Sequence, residues 1–170
     1  MSRRSLLLLM LLLAGCAART PLPSAVPSLG WPLQLHIQRE QGGQRQDWLL
    51  VVQEQAGALR WSLFDPLGIP LARQRLEQQS WHNDGLLPPN PEARELFAAL
   101  LFALTPAAEL ALRYPSSRWQ ADEAQRQLLD GRQPRWRVRY HGPLNIHLSA
   151  ASGLNYRVTA LPAHERGNAP

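Results

Sequence analysis

Leu33-Gln34-Leu35-His36-Ile37-Gln38 alternates apolar and polar residues without a break. A period of two buries one face of a β-strand and leaves the other in water. The chain downstream repeats that theme. Gln41-Gly42-Gly43-Gln44 reads as a turn, Trp48 to Gln53 is more continuously apolar, as in a central strand, and the break at Ala56-Gly57 returns the chain antiparallel. Leu59, Trp61 and Leu63 resume the inward alternation. Asp65-Pro66-Leu67-Gly68 then turns the chain, and Ile69 and Leu71 carry a fourth strand toward Leu76. Four such strands in succession predict an antiparallel meander.

The pattern changes after Pro88-Pro89. Asn90 is suited to cap a helix that has Pro91 at its first position and Glu92 and Glu95 near the positive end of its macrodipole. Leu96, Leu100 and Leu104 recur at helical spacing, and Phe97 and Leu101 widen the apolar stripe. Thr105-Pro106 repeats the cap-then-proline signal for a second short helix, which Tyr114-Pro115 ends. Strands return at Ala124 to Leu129, Arg135 to Tyr140, Leu144 to Leu148 and Tyr156 to Leu161, with Asp130-Gly131, His141-Gly142-Pro143 and Ser152-Gly153 as turns. The expected fold class is α+β: an antiparallel sheet whose apolar face is covered by two short helices.

At the amino terminus, Arg3 and Arg4 precede an apolar run from Leu6 to Leu13, and Ala14 and Gly15 lead into Cys16, the single cysteine. That order predicts a signal peptide over 1–15. The run is well short of the roughly 20 residues of a membrane-spanning helix. Cys16 and the proline-rich stretch that follows, 16–30, predict an acylated anchor and an extended tether that could lift the domain by about 40 Å. One domain over 31–162 and a frayed tail over 163–170 complete the division.

All 18 basic residues are arginine. Loss of Arg3 and Arg4 with the signal leaves 16 against 13 acids, a small excess interspersed with Gln, Glu and Asp. No basic stripe or arm marks the sequence, which argues against a nucleic-acid partner. With Cys16 acylated, no thiol remains for a disulfide, a metal or a nucleophile, so the domain must rest on its hydrophobic core.

Leu13-Ala14-Gly15-Cys16 resembles the bacterial lipobox, which implies a diacylglyceryl thioether and an acylated new amino terminus on Cys16, with no other cofactor. Two or more acyl chains make a stable anchor. Ala17 and Ala18 after the cysteine lack the retaining aspartate of inner-membrane lipoproteins, so the expected location is the outer membrane, with the domain facing the periplasm. The lipobox, the tether, the meander with Asp65-Pro66-Leu67-Gly68, the helices and the closing sheet together resemble the LolA/LolB lipoprotein carrier and receptor superfamily. More narrowly, they resemble the small lipoproteins found beside aryl-polyene, fatty-acid-type synthesis clusters. The resemblance implies a strongly curved, incomplete β-barrel whose helices cover a concave apolar face, with a hydrophobic or amphiphilic cargo, such as a lipid or aryl-polyene lipid conjugate, held between. A periplasmic LolA-like carrier is then an expected partner. Candidate lining residues are Leu35, Ile37, Leu50, Val52, Trp61, Leu63, Leu71, Phe97 and Leu100. A packed core would show the same alternation. Leu67 sits where LolB-like receptors carry an apolar loop residue that delivers lipid to the membrane, with Leu86-Leu87 a weaker rival; a turn leucine folded onto the core is the plain alternative.

Signals for catalysis are sparse. Ser80-Trp81-His82-Asn83-Asp84 holds a serine, a histidine and an aspartate, but a triad is a spatial arrangement and these neighbours read as a loop. Gly-x-Ser-x-Gly and glycine-rich phosphate loops are absent, and His36, His82, His141, His147 and His164 lack metal-ligand spacing. The leading expectation is therefore a non-enzymatic lipoprotein that binds and helps transfer or insert a hydrophobic cargo. A structural or adaptor lipoprotein with a filled core is the alternative, and a lipid hydrolase using Ser80 or His82 comes last.

Overall fold

The alternating segments pair into one sheet. A computed structural model describes residues 20–161. Its strands are β1 (Leu33–Gln41), β2 (Gln44–Gln55), β3 (Ala58–Phe64), β4 (Pro70–Glu77), β5 (Ser80–Asn83), β6 (Arg118–Ala121), β7 (Gln125–Asp130), β8 (Gln133–Gly142), β9 (Asn145–Ala150) and β10 (Asn155–Ala160). Helix α1 (Pro91–Leu104), a 3₁₀ turn (Ala107–Glu109) and helix α2 (Leu110–Arg113) lie between β5 and β6. The strand order is β5-β4-β3-β2-β1-β10-β9-β8-β7-β6, antiparallel throughout. Two meanders of five strands thus join where β1 pairs with β10, and the edges β5 and β6 stay apart. The sheet does not close.

Curvature follows from α1. Leu96 to Ala103 are all buried in succession. At about 100° per residue those eight positions sweep every side of the helix, which a flat sheet could cover on one side only. The two meanders therefore wrap round α1. Phe97 packs on the first meander, with ring centres 5.1 Å from Trp61 and 5.9 Å from Trp81. Phe102 packs on the second, 6.2 Å from Trp136.

Both ends of α1 are fastened as its sequence suggests. Asn90 Oδ1 accepts from the Ala93 amide at 3.0 Å, while its Nδ2 donates to the Leu71 carbonyl at 3.3 Å. At the other end the Arg126 guanidinium donates to the Thr105 carbonyl and Tyr140 Oη donates to the Ala103 carbonyl at 2.7 Å. A cation at the negative end of the macrodipole and donors for orphan carbonyls are what a buried helix terminus requires.

The structure departs from expectation in three described regions. Residues Ser80–Asn83, read above as a loop, form edge strand β5, and edge strand β6 was not anticipated. Each has four residues and turns one half-buried tryptophan, Trp81 or Trp119, toward the core, too little for alternation to register. The proline-rich tether is docked over its described part. Ser24 N donates to the Arg113 carbonyl at 2.7 Å, Ser24 Oγ to the Leu112 carbonyl at 3.0 Å, and Ser28 N to Glu109 at 3.3 Å. Pro23 and Pro27 are buried and Leu22 packs on the core, so this strap recovers by burial what an exposed tether would leave to water. Cys16, the signal peptide and the tail 163–170 lie outside the described residues.

Candidate functional site

Glu92 and Glu95 stand one turn apart on α1, and each is gripped by an arginine from a different meander. Arg39 of β1 donates to both oxygens of Glu92, at 2.5 and 2.9 Å, and Tyr156 Oη of β10 adds a bond at 3.2 Å. Arg135 of β8 donates to both oxygens of Glu95, at 2.7 and 2.9 Å; Trp136 Nε1 adds 2.7 Å and Thr20 Oγ1 of the strap 3.3 Å. Burial pushes the Glu95 carboxyl up, but the bonds from Arg135 and Trp136 outweigh it and leave the group below its ordinary value. Tyr156 is pushed up, first by burial and then by the Glu92 charge.

Between these two clamps lies an apolar cleft of about 250 Å³, walled by Leu96 and Ala99 of α1 and by Trp136, Leu148, Ala150, Leu154 and Tyr156 of the second meander. Pro91, Glu92, Glu95 and Ser152 form its rim. A second hollow of about 400 Å³ adjoins it through Glu95, Ala150 and Ser152, and is lined further by Asp130, Gln133, Pro134, Arg135 and Ala151. The two spaces thus share one edge, and the second, itself largely apolar, brings the charged side chains of Arg135 and Asp130 to its border. Both carboxylates at the rim are neutralised by arginine, so the cleft offers an uncharged chain no unpaired ion to desolvate.

The position of this cleft in the fold is set by the strand register. Turns 42–43, 65–69, 131–132 and 151–154 all lie at one end of the sheet, because each joins consecutive antiparallel strands running the same way round. The first turn of α1 is held at that end through Leu71, Arg39 and Arg135. Leu67, Ile69 and Leu86 are exposed at the same end, at 85%, 55% and 105%. Asp65 Oδ1 accepts from the Leu67 and Ile69 amides at 2.9 and 2.8 Å, which fixes the turn and presents Leu67 outward.

The nine candidate lining residues fall elsewhere. Leu35, Ile37, Leu50, Val52, Trp61, Leu63, Phe97 and Leu100 are buried in the core, and Leu71 packs half-buried against it. None of the nine borders the apolar cleft; Leu63 and Leu71 instead border a shallow hollow beside Arg39 and Asn90. Hollows border the first turn of α1 on both meanders, but the apolar one lies on the second, where its walls Leu96, Ala99, Trp136 and Leu148 are as buried as the eight core residues. Alternation marked inward faces on both halves but carries no information on where side chains fail to meet. Ser80 and His82 lie on β5, while Asp84 is bound to Arg60 Nε at 2.5 Å; no hydrogen bond joins the three among the described residues. Nor do three His, Cys, Asp or Glu side chains converge as metal ligands there.

A family model described as a protein of unknown function, DUF3261, matches residues 32–159. The chain belongs to this family. No curated protein matches it. The DUF3261 match runs from the residue before β1 into β10, and so takes in α1 and every wall of the cleft but not the strap.

Proposed function

We propose that this DUF3261 protein is an outer-membrane lipoprotein, anchored through Cys16 and facing the periplasm, that accepts an amphiphile and helps transfer or insert it. The fold reading that goes with this is a LolB-like half-barrel with α1 as its lid. The cargo's acyl or polyene chain enters between α1 and strands β8–β10, and its polar head rests in the hollow beside Glu95, Arg135 and Asp130. The observation that carries the reading is the apolar cleft, its rim carboxylates neutralised, sharing an edge with a hollow that Arg135 and Asp130 border.

Size supports a single chain segment. A dry cavity of about 150 Å³ holds benzene, so 250 Å³ holds about ten carbons. Ten methylenes at about 0.8 kcal/mol each set an upper bound of about 8 kcal/mol, the scale of a micromolar Kd. Placement supports it too. Cys16 lies four residues before Thr20, hence within about 15 Å of it along the chain, and Thr20 touches Glu95 at the cleft rim. An anchor there would bring the rim and exposed Leu67, Ile69 and Leu86 to the bilayer.

The test is a titration of the exported chain carrying Cys16→Ser with a fluorescent fatty-acyl probe. One saturable site with a Kd in the low micromolar range is expected. A linear, unsaturable response would favour the adaptor reading, in which the strap and the packed core serve a protein partner.

A further inference from the structure

The sheet face turned away from α1 carries a cluster of basic groups that the cleft does not use. On β8, Arg137 and Arg139 alternate with buried Trp136 and Val138; on β9, His147 lies between buried Ile146 and Leu148; on β10, Arg157 lies between buried Tyr156 and Val158. Register sets Arg139 opposite His147, and His147 opposite Arg157. Three basic side chains therefore form one row across three strands, with neighbouring Cβ atoms about 5 Å apart.

Two hollows of about 260 and 310 Å³ meet at His147. Arg137, Arg139 and Ser149 border the first, and His141, Asn145 and Arg157 the second; no carboxylate borders either. Among the described residues, Arg137, Arg139 and Arg157 form no ion pair with any acid, unlike Arg39, Arg60, Arg113 and Arg135. Arg139 and Arg157 flank His147 with no carboxylate between them, so the row concentrates positive potential that an anion would neutralise. Guanidinium groups on both sides of an imidazole, in a concave polar setting, match the several acceptor oxygens of a phosphoryl group.

We propose that Arg139, His147 and Arg157 bind a phosphoryl oxyanion on the outer face of the sheet, with Arg137 contributing to the field. Arg139 and Arg157 donate to the oxygens, and His147 donates once protonated. The groups facing His147 are Arg139 and His141 from β8, Arg157 from β10 and Glu40 at the end of β1; burial and then the cations hold its pKa below the ordinary value, Glu40 opposing them. A bound dianion reverses that balance and draws a proton onto the ring.

The experiment follows the His147 ring by NMR through a pH titration of the Cys16→Ser chain, in inorganic phosphate and in chloride at matched ionic strength. In parallel, cosedimentation compares vesicles of phosphatidylglycerol with vesicles of phosphatidylcholine. Phosphate is expected to raise the His147 midpoint by about half a unit or more, the scale of one nearby opposite charge. Arg139→Gln with Arg157→Gln, both exposed, should abolish the effect without unfolding the sheet. A phosphate response identifies free phosphate as a sufficient ligand; selective sedimentation with phosphatidylglycerol alone, lost in the double variant, assigns the site to a lipid headgroup. Equal midpoints in both salts together with equal sedimentation, or a response that survives the double substitution, would overturn the proposal.

Discussion

Arg135 meets Glu95 edge-on, through Nε to Oε1 at 2.7 Å and Nη2 to Oε2 at 2.9 Å. This bidentate pair ties β8 to the first turns of α1, with Glu95 on the edge shared by the two hollows and Arg135 bordering the second. Its counterpart, Arg39 with Glu92, ties β1 to the same helix, so α1 is fixed to both meanders at the end where the cleft opens.

The Glu95 clamp predicts a pH dependence. A carboxyl held below its unfolded value adds stability above the unfolded pKa, near 4.3, and loses it as pH falls through the folded pKa. Glu95→Gln should therefore be less stable than the parent near neutrality, by about 2 kcal/mol for a largely buried pair with charged hydrogen bonds. Urea denaturation across acid pH checks this: the gap between the two proteins should shrink below about pH 4. A gap that stays constant from neutral to acid pH would contradict it.

Much of the fold was legible because alternation and capping are local. Leu33 to Gln38, Leu59 to Leu63 and Arg135 to Tyr140 announced strands, and Asn90-Pro91 announced α1. The four-residue edges were not legible, since Trp81 and Trp119 are single inward residues without a periodic neighbour. The cleft was not legible either. Trp136, Leu148 and Tyr156 alternate just as Leu35, Leu50 and Trp61 do, and which set borders an apolar hollow beside α1 depends on how two distant meanders curve round one helix. Glu92 and Glu95 read as ordinary acids in a first helical turn; that Arg39 and Arg135 would reach them is a tertiary fact. Docking of the strap turned on Leu22, Pro23 and Pro27 finding apolar surface, which composition alone read as an extended tether.

Buried Gln74 supplies a second prediction. It lies opposite Trp61 on β3, is 1% exposed, and its Oε1 has no hydrogen-bond partner among the described residues, nor do Trp61 Nε1 and Trp81 Nε1. An unsatisfied buried amide costs free energy that an apolar side chain of similar shape avoids. Gln74→Met should leave thermal stability unchanged or raise it by about 1 kcal/mol. A loss larger than that in thermal unfolding would show that the amide is satisfied in solution.

Under the proposed function, Leu67 and Leu86 bear on transfer more than on stability. Both are exposed at the cleft end and pack on nothing that a charge would disrupt. Leu67→Glu and Leu86→Glu should each leave Tm within about 2 °C of the parent, since surface changes of this kind stay within about 0.5 kcal/mol. Delivery of a labelled amphiphile from the loaded protein to liposomes should slow several-fold, most in the double variant. Unchanged delivery with the fold intact would remove these leucines from the mechanism.

The most direct measurement is photo-crosslinking of a diazirine fatty acid to the Cys16→Ser chain, with the adducts mapped by mass spectrometry. Labelling should concentrate on residues 91–99 and 148–156, and Ala150→Phe, which fills the cleft, should remove it while leaving the fold cooperative. Adducts spread over the surface, or unchanged in Ala150→Phe, would mean that no chain is held between α1 and the second meander.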